Sequence, residues 1–399
     1  MAEPTETAGG PLAGIRVIDL TINVLGPLAA QTLGDMGADV IKVETPQGDP
    51  MRMVGARRVE GFGSHFLGLN RNKRSLTLNL KHPPAREALM RLVDTADVLV
   101  HNMRLDAAER LGIGPETVRA RNPRLVHAAA TGYRADGPLR DKPAYDDVIQ
   151  AESGIAAMIE RANGETRYVP MAMADKLCGL VLASSIAMAL VRRERTGHGE
   201  AVHVPMLETM LSFNLADHLG FGAIAEPERG LGFPRMFSSQ RRPYPTADGT
   251  IAVLANTDEQ WRRLFAAIDC PEMIDDPRFS TMPARMSNIE PLYTILAGRL
   301  LERTTEEWSR RFQKADLPNG TVKGLEELWR DPYLKDTGFF QTYEHPAAGP
   351  VTTTAVPVDF SDASAGLFRP PPSLGEHNAE ILEELGYGAE EMRTITAPG

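Results

Sequence analysis

The chain has 399 residues, 42% of them hydrophobic and 24% charged, which allows about two or three domains with a proper core and excludes wholesale disorder, a fibrous repeat or a disulfide-stapled miniprotein. Lys and Arg number 43 against 53 Asp and Glu, for a net charge of -10, so nucleic acid is not an expected partner, and an anionic ligand needs a local basic patch. Cys178 and Cys270 are the only cysteines, too few for a disulfide framework or an all-cysteine metal site, which predicts no bound metal and a reducing, cytoplasmic setting.

The opening stretch MAEPTETAGGPLAG is acidic where a signal peptide needs a basic start and an apolar run, which fits the same setting. Ile15 to Leu20 is a β-branched run that predicts a strand. A helical stretch from Leu28 to Met36 follows it, and then the strand ADVIKVE. Leu76 to Leu80 (LTLNL), the helical Ala85 to Thr95 and the strand Asp97 to His101 repeat the pattern, and RLVHAAATGY adds another strand. Alternating units of this kind predict an α/β fold with a large, doubly wound, Rossmann-like domain over residues 1–221. Such sheets take ligands beyond the carboxyl ends of their strands, which directs attention to Thr21 to Gly26, Asn102 to Arg104 and Thr131 to Tyr133. The apolar run Leu177 to Val191, broken by Gly179 and two serines, falls short of the ~20 residues of a membrane span and predicts a buried helix.

Residues 222–249, rich in Gly, Pro and Arg, read as a linker. Residues 250–338 carry one strand and amphipathic helices, including Ile289 to Glu302 and Thr305 to Lys314, and predict a second, smaller α+β domain. A return linker over residues 339–372 leads to a C-terminal helical segment, 373–399, expected to pack on the large domain.

The first βα turn, LTINVLGPLAAQ, lacks the G-x-G-x-x-G spacing of a dinucleotide site, and no P-loop, H-E-x-x-H or G-x-S-x-G string occurs. Nine His residues are scattered without ligand spacing. From Arg71 to Arg86 the chain carries Arg71, Lys73, Arg74, Lys81 and Arg86 with no acid between them. This run reads either as a solvated face or as a phosphate site at a strand end, which Asn102 and Arg110 from the neighbouring strand end are able to join. In VPMAMADKLCGL, Asp175 opens an apolar helix. It reads either as a helix N-cap or, given its small apolar neighbours, as a carboxylate in a partly dry pocket suited to nucleophilic catalysis.

With LGDMGADVIKVETPQGDPMR, NRNKRSLTLNLK, ADVLVHN, LRDKPAYDDVIQAESG, the Asp175 region and its RRERTGHGEAVHVPM sequel, YPTADGTIAV and PPPSLGEHNAEILEELG in order, the chain resembles, end to end, the class III CoA-transferases of the carnitine/bile-acid CoA-transferase and racemase superfamily. The resemblance implies that Asp175 attacks an acyl-CoA thioester and that CoA passes to a carboxylic acid through aspartyl anhydride and aspartyl-CoA thioester intermediates. An ordinary aspartate is ionised at neutral pH and needs no general base; the intermediates require a pocket that excludes water. Oxyanion donors are expected among backbone N–H groups near Asp175.

By the same resemblance, CoA or acyl-CoA is a substrate and no cofactor is permanently bound. Leu78, Asn79, Leu80 and Lys81 are expected along the adenine and ribose phosphate, Asn102 and Met103 at the next strand end, Arg110 on a phosphate, and Tyr133 along the pantetheine arm, with Gly132 also among the CoA-binding candidates. Val24, Leu25, Thr45 and Thr131 stand where some relatives use polar or basic side chains, so only backbone contacts are expected of them. The family's dimer is interlocked, which the two long linkers permit. The small domain carries no glycine run like the mobile loop of the formyl-CoA:oxalate branch.

Two rival readings stand beside the transferase. One is an acyl-CoA racemase or epimerase, disfavoured because PAYDD places Tyr145, a poor base at neutral pH, where racemases carry a His before Asp. The other is a non-catalytic CoA-binding homologue in which Asp175 only caps its helix. The acceptor is expected to be a small carboxylate, and Arg235, Arg241 and Arg242 are candidates for its distal acid group or else solvated linker charges.

Overall fold

The computed structural model describes residues 9–396; MAEPTETA, the start of the stretch unsuited to a signal peptide, and the last three residues lie outside the described residues. The contacts divide the described residues into two compact units, one of residues 9–154, 168–213 and 336–396 and the other of residues 155–167 and 214–335.

The first unit is built on a six-stranded sheet of β1 (Arg16–Asp19), β2 (Asp39–Glu44), β3 (Lys73–Thr77), β4 (Val98–His101), β5 (Val126–Thr131) and β6 (Ala201–Pro205) in the order β3-β2-β1-β4-β5-β6. Every neighbouring pair is parallel, so the mixed α/β fold holds, and the strand order reverses between β1 and β4, where such sheets open a crevice. Ile18, Ile41, Leu76 and Leu99 are fully buried in its core with Leu89 and Leu92 of the helix Pro83–Thr95.

The third strand begins three residues before the apolar LTLNL, because Lys73 and Arg74 enter the sheet fully paired. Lys73 Nζ meets Asp19 Oδ2 at 2.8 Å, Pro27 O at 2.9 Å and Asn70 Oδ1 at 2.9 Å. Arg74 binds Asp39, Glu380 and Glu384, and Arg71 forms a two-pronged pair with Asp35 at 2.8 and 2.7 Å. Neither reading of the cationic run holds for these three: they are interior ion pairs, and only Lys81 and Arg86 of the five stay exposed. The C-terminal segment closes the outer edge of β3. Asn72 N donates to Arg369 O, Ser75 N to His377 Nδ1 and Thr77 N to Asn378 Oδ1, which satisfies an edge that otherwise exposes a row of backbone groups. Ile381 and Leu382 of the helix Asn378–Glu384 join the core.

In the second unit, β7 (Tyr244–Pro245), β8 (Thr250–Val253) and β9 (Asn319–Thr321) form a small antiparallel sheet. The helices Asp258–Ala267, Ile289–Leu300 and Thr305–Lys314 share a core of Trp261, Phe265, Phe279, Leu292, Trp308 and Phe312. Capping boxes at Thr257 with Gln260 and at Thr304 with Glu307 fix two of the helix starts. Residues 222–249 are not a free linker: Tyr244 is 4% exposed in this core and pairs with Ile251. Residues 155–167 also group with this unit, where the Arg161 guanidinium lies 4.1 Å from the Phe237 ring centroid. In the first unit, the return segment forms a hairpin of β10 (Phe340–His345) and β11 (Gly349–Thr354).

Candidate active site

A cavity of about 220 Å³ opens at the carboxyl ends of β1, β4, β5 and β6, with Ile22, Leu25, Asn102, Thr131, Gly132, Asp175 and Met206 in its wall. Its position follows from the turn after β1. The fully buried Asp19 accepts the Thr21 backbone N–H at 2.9 Å and the Thr21 hydroxyl at 2.5 Å, while Lys42 Nζ donates to Thr21 O at 2.8 Å. Burial acts to raise the Asp19 pKa, but the nearby Lys73 and Lys42 charges hold it below its ordinary value. Asn102 completes the turn, its Oδ1 accepting the Ile22 N–H at 3.0 Å and its Nδ2 donating to Ile22 O at 2.8 Å. Its amide therefore ties the end of β4 to the turn after β1.

Asp175 is the third residue of the 24-residue helix Met173–Thr196. The N-cap is Ala172, so capping by the Asp175 side chain does not occur. Instead the Asp175 N–H donates to Asp146 Oδ1 at 3.0 Å. Asp146 begins the helix Asp146–Glu152, and one turn on Gln150 accepts from Val169 N at 2.9 Å and donates to Met171 O at 3.2 Å. Two residues of one helix thus fasten the segment that delivers Asp175. Gly179 brings the Asp175 helix against the helix Leu25–Asp35: a Cβ there would sit 2.6 Å from Leu25 O.

The Asp175 helix is long and apolar enough to cross a membrane by length and composition, more than the apolar run alone suggests. Ala174, Cys178, Leu182, Ala183, Ile186 and Leu190 are nonetheless buried in the first unit. Leu180, Met188 and Val191 are 51%, 70% and 54% exposed.

Burial, with the negative charges of Asp146 and Asp147, pushes the Asp175 pKa up to about 7. This corrects the expectation of an ordinary aspartate ionised well below neutrality: the carboxyl titrates in the neutral range. The expected oxyanion donors beside it are also engaged, since Met173 N donates to Met171 O and Lys176 N to Ala172 O, and Asp175 N to Asp146. The helix Leu25–Asp35, by contrast, starts at the cavity with no side-chain cap.

Of the residues expected along CoA, the cavity brings together Leu25, Asn102, Thr131 and Gly132 with Asp175. Val24 lines a larger cavity of about 760 Å³ in the same unit. The Tyr133 ring is buried and its hydroxyl donates to Glu152 Oε2 at 2.8 Å, while the Thr131 hydroxyl donates to Tyr133 O and meets His203 Nε2, each at 2.8 Å. Leu78 belongs to the core, Leu80 and Met103 pack against it, and Asn79 Oδ1 accepts the Lys81 N–H at 3.2 Å. Thr45, Lys81 and Arg110 are exposed. Beyond these, Arg140, Lys142 and Tyr145 from the loop before Asp146 line the cavity, as does Arg104. In the sequence the loop residues lie within LRDKPAYDDVIQAESG, one of the strings that carry the family resemblance, which gives Arg140 and Lys142 no role at the site.

A family model described as CoA-transferase family III matches residues 12–378. The chain is 34% identical over 400 residues to the probable fatty acyl-CoA transferase Rv3272 of Mycobacterium tuberculosis, covering 95% of this chain and 99% of that protein. It is 31% identical to the succinate–glutarate CoA-transferase of Agrobacterium fabrum, with 94% and 96% covered. The crystal structure of the D175A mutant of Rv3272 superposes with a TM-score of 0.82 at 31% identity, covering 94% of this chain and 99% of that one. A CAIB/BAIF family protein from Brucella suis gives 0.77 at 30%, with 94% and 100% covered. The chain belongs to CoA-transferase family III and is a transferase enzyme.

Proposed function

We propose that the enzyme moves CoA between an acyl-CoA and a small carboxylic acid with Asp175 as the nucleophile. The Asp175 oxygen attacks the thioester carbonyl, and the C–S bond breaks to give an aspartyl–acyl anhydride and CoA thiolate. The thiolate attacks the aspartyl carbonyl and releases the donor's carboxylate, leaving an aspartyl-CoA thioester. The acceptor carboxylate displaces the thiolate to form a second anhydride, and thiolate attack on the new acyl carbonyl regenerates Asp175. The observation that carries this reading is the Asp175 carboxyl in the wall of the 220 Å³ cavity, with a pKa raised to about 7 by burial and by Asp146 and Asp147. A more basic carboxylate is a stronger nucleophile, at the cost of its ionised fraction at neutral pH.

Arg104, Arg140 and Lys142 on the same wall suit the phosphates of CoA and an acceptor carboxylate. The uncapped start of the helix Leu25–Asp35 suits the oxyanion, with N–H donors at Leu25 and Gly26. Leu78 to Lys81, Thr45 and Arg110 keep the proposed role of lining the nucleotide; β3 stands two strand spacings, about 10 Å, from β1. No histidine lines the cavity among the described residues, which favours transfer over racemisation, a reaction that needs a second base. We also propose a cytoplasmic homodimer of the interlocked kind, supported by the exposed Leu180, Met188 and Val191 on the Asp175 helix; light scattering after size exclusion tests it.

The mechanism is tested by incubating the enzyme with acyl-CoA and trapping with hydroxylamine or borohydride. The expected product is a covalent change at Asp175, read by peptide mass spectrometry. An unmodified Asp175, together with turnover retained in Asp175→Asn, defeats the mechanism.

A further inference from the structure

The second unit holds a cavity of about 430 Å³, within the ~300–1,000 Å³ range of small-molecule sites. Its floor and walls are Tyr244, Trp261, Leu264, Tyr293 and Leu296, and three guanidinium groups, from Arg235, Arg241 and Arg242, face it. No Asp or Glu is among the described residues that line it. Elsewhere in this unit arginines find acids: Arg229 pairs with Glu226, Arg285 with Asp258, and Arg303 and Arg311 with Asp269. Among the described residues Arg235 bonds only through its Nε, which donates to the Tyr293 hydroxyl at 3.0 Å, and its two Nη groups carry no acceptor there. The side chains of Arg241 and Arg242 carry no hydrogen bond or ion pair among the described residues. Burial, with the neighbouring Tyr293, raises the Tyr244 hydroxyl pKa above its ordinary value, so this group stays a proton donor.

Three unpaired cations around aromatic and aliphatic walls, in a chain of net charge -10, exceed what one carboxylate neutralises. Guanidinium forks match carboxylate and phosphate oxygens in pairs. We propose that this cavity is a binding site for an organic dianion, a phosphate monoester or a dicarboxylate whose apolar or aromatic body lies against Trp261 and Tyr244. The assignment rests on binding alone and stands whether or not Asp175 is the nucleophile.

The test titrates the full chain with adenosine 5′-monophosphate, with glutarate and with acetate as a monoanion, followed by calorimetry and by tryptophan emission, since Trp261 lines the cavity. One of the two dianions is expected to saturate, with acetate at least tenfold weaker. The Arg241→Ala/Arg242→Ala double variant, which removes no side-chain hydrogen bond or ion pair among the described residues, is expected to weaken that binding at least tenfold and to abolish its emission change. Asp175→Asn is expected to leave both unaltered. Saturation by the monophosphate identifies the ligand class as a phosphate ester and saturation by glutarate as a dicarboxylate. The proposal is overturned if neither dianion binds, or if the double variant binds within twofold of the parent.

Discussion

Asp146 holds the backbone of Asp175 with one carboxylate oxygen, at 3.0 Å, while its charge opposes the ionisation of the Asp175 side chain. Position and reactivity are therefore set by the same neighbour. A group whose pKa stands above its unfolded value by burial and like charge works against the fold whenever it is ionised.

Substituting Asp175→Asn is accordingly expected to abolish CoA transfer and to raise thermal stability. Between the ordinary carboxylate range and pH 7 the folded state binds the extra proton, so stability falls as pH rises through that window, by about 2–4 kcal/mol in all. The variant escapes this loss. Its melting temperature at pH 8 is expected to exceed the parent's by roughly 4 °C or more, with little difference at pH 4. A lower melting temperature at pH 8 contradicts the account and restores a structural role for the carboxylate.

The same carboxyl sets the pH dependence of the acylation step. Only the ionised form attacks, so single-turnover acylation is expected to rise with pH and level off above a midpoint near 7. Asp146→Asn keeps an oxygen acceptor for the Asp175 N–H but removes one negative charge. The midpoint is expected to move down by about one pH unit, and an unshifted limb excludes Asp146 as a determinant of the titration.

Much of the frame was legible in the residues, because β-branched runs and glycine turns are local signals: β1, β2, β4 and β5 stand within a residue or two of their expected bounds. What stayed hidden depends on partners far along the chain. Arg71, Lys73 and Arg74 look like a solvent-facing or phosphate-binding run until Asp35, Asp19 and Asp39, at separations of 36, 54 and 35 residues, neutralise them. The hairpin of β10 and β11 was masked by Pro, Thr and Ala in a segment that reads as linker. At the site, Asp175 reads from its own neighbours either as a helix cap or as a nucleophile in a dry pocket, and only the family resemblance favours the second. The hold of Asp146 on its N–H leaves no sequence pattern, since the two lie 29 residues apart.

A second titration works against the first. His101 and His127 are buried, with their Nε2 atoms 3.2 Å apart, and His127 Nε2 also meets Ile113 O at 3.1 Å. Burial lowers their pKa values to about 3 and about 4. Because the unfolded chain protonates them near their ordinary range, stability is lost as pH falls from about 6.5 towards those values. Four histidines, with His203 and His377 also lowered by burial, are displaced downward against two carboxyls, Asp175 and Asp35, displaced upward, so the parent's melting temperature is expected to climb between pH 4.5 and 6.5. His127→Gln should flatten that climb, and an equally steep climb in this variant removes the pair as its origin.

Arg104 is exposed on the wall of the Asp175 cavity and carries no ion pair among the described residues. Arg104→Ala is expected to leave the melting temperature unchanged and to raise the KM for acyl-CoA roughly fivefold to tenfold with kcat nearly constant, the pattern of lost uniform binding. An acyl-pantetheine substrate, which lacks the nucleotide phosphates, is expected to show no such penalty. An equal effect on both substrates locates Arg104 at the acyl end instead.

Gly179 offers a purely steric test of how the site is assembled. The Asp175 helix and the helix Leu25–Asp35 touch there so closely that an added methyl meets the Leu25 carbonyl oxygen at 2.6 Å, a backbone atom that cannot rotate away. Leu25 and Asp175 both line the cavity, so relief of the clash separates two of its walls. Gly179→Ala should cost about 1–3 kcal/mol in stability, despite alanine's better helix propensity of about 1 kcal/mol. Acylation is expected to slow at least tenfold, because a shift of about 1 Å spoils attack geometry. The control is Gly164→Ala, at a turn whose added Cβ meets nothing within 4 Å but whose φ of +82° strains any L-residue. That variant is expected to lose stability with acylation intact, so equal acylation losses in the two would trace the Gly179 effect to general destabilisation rather than to the displaced wall.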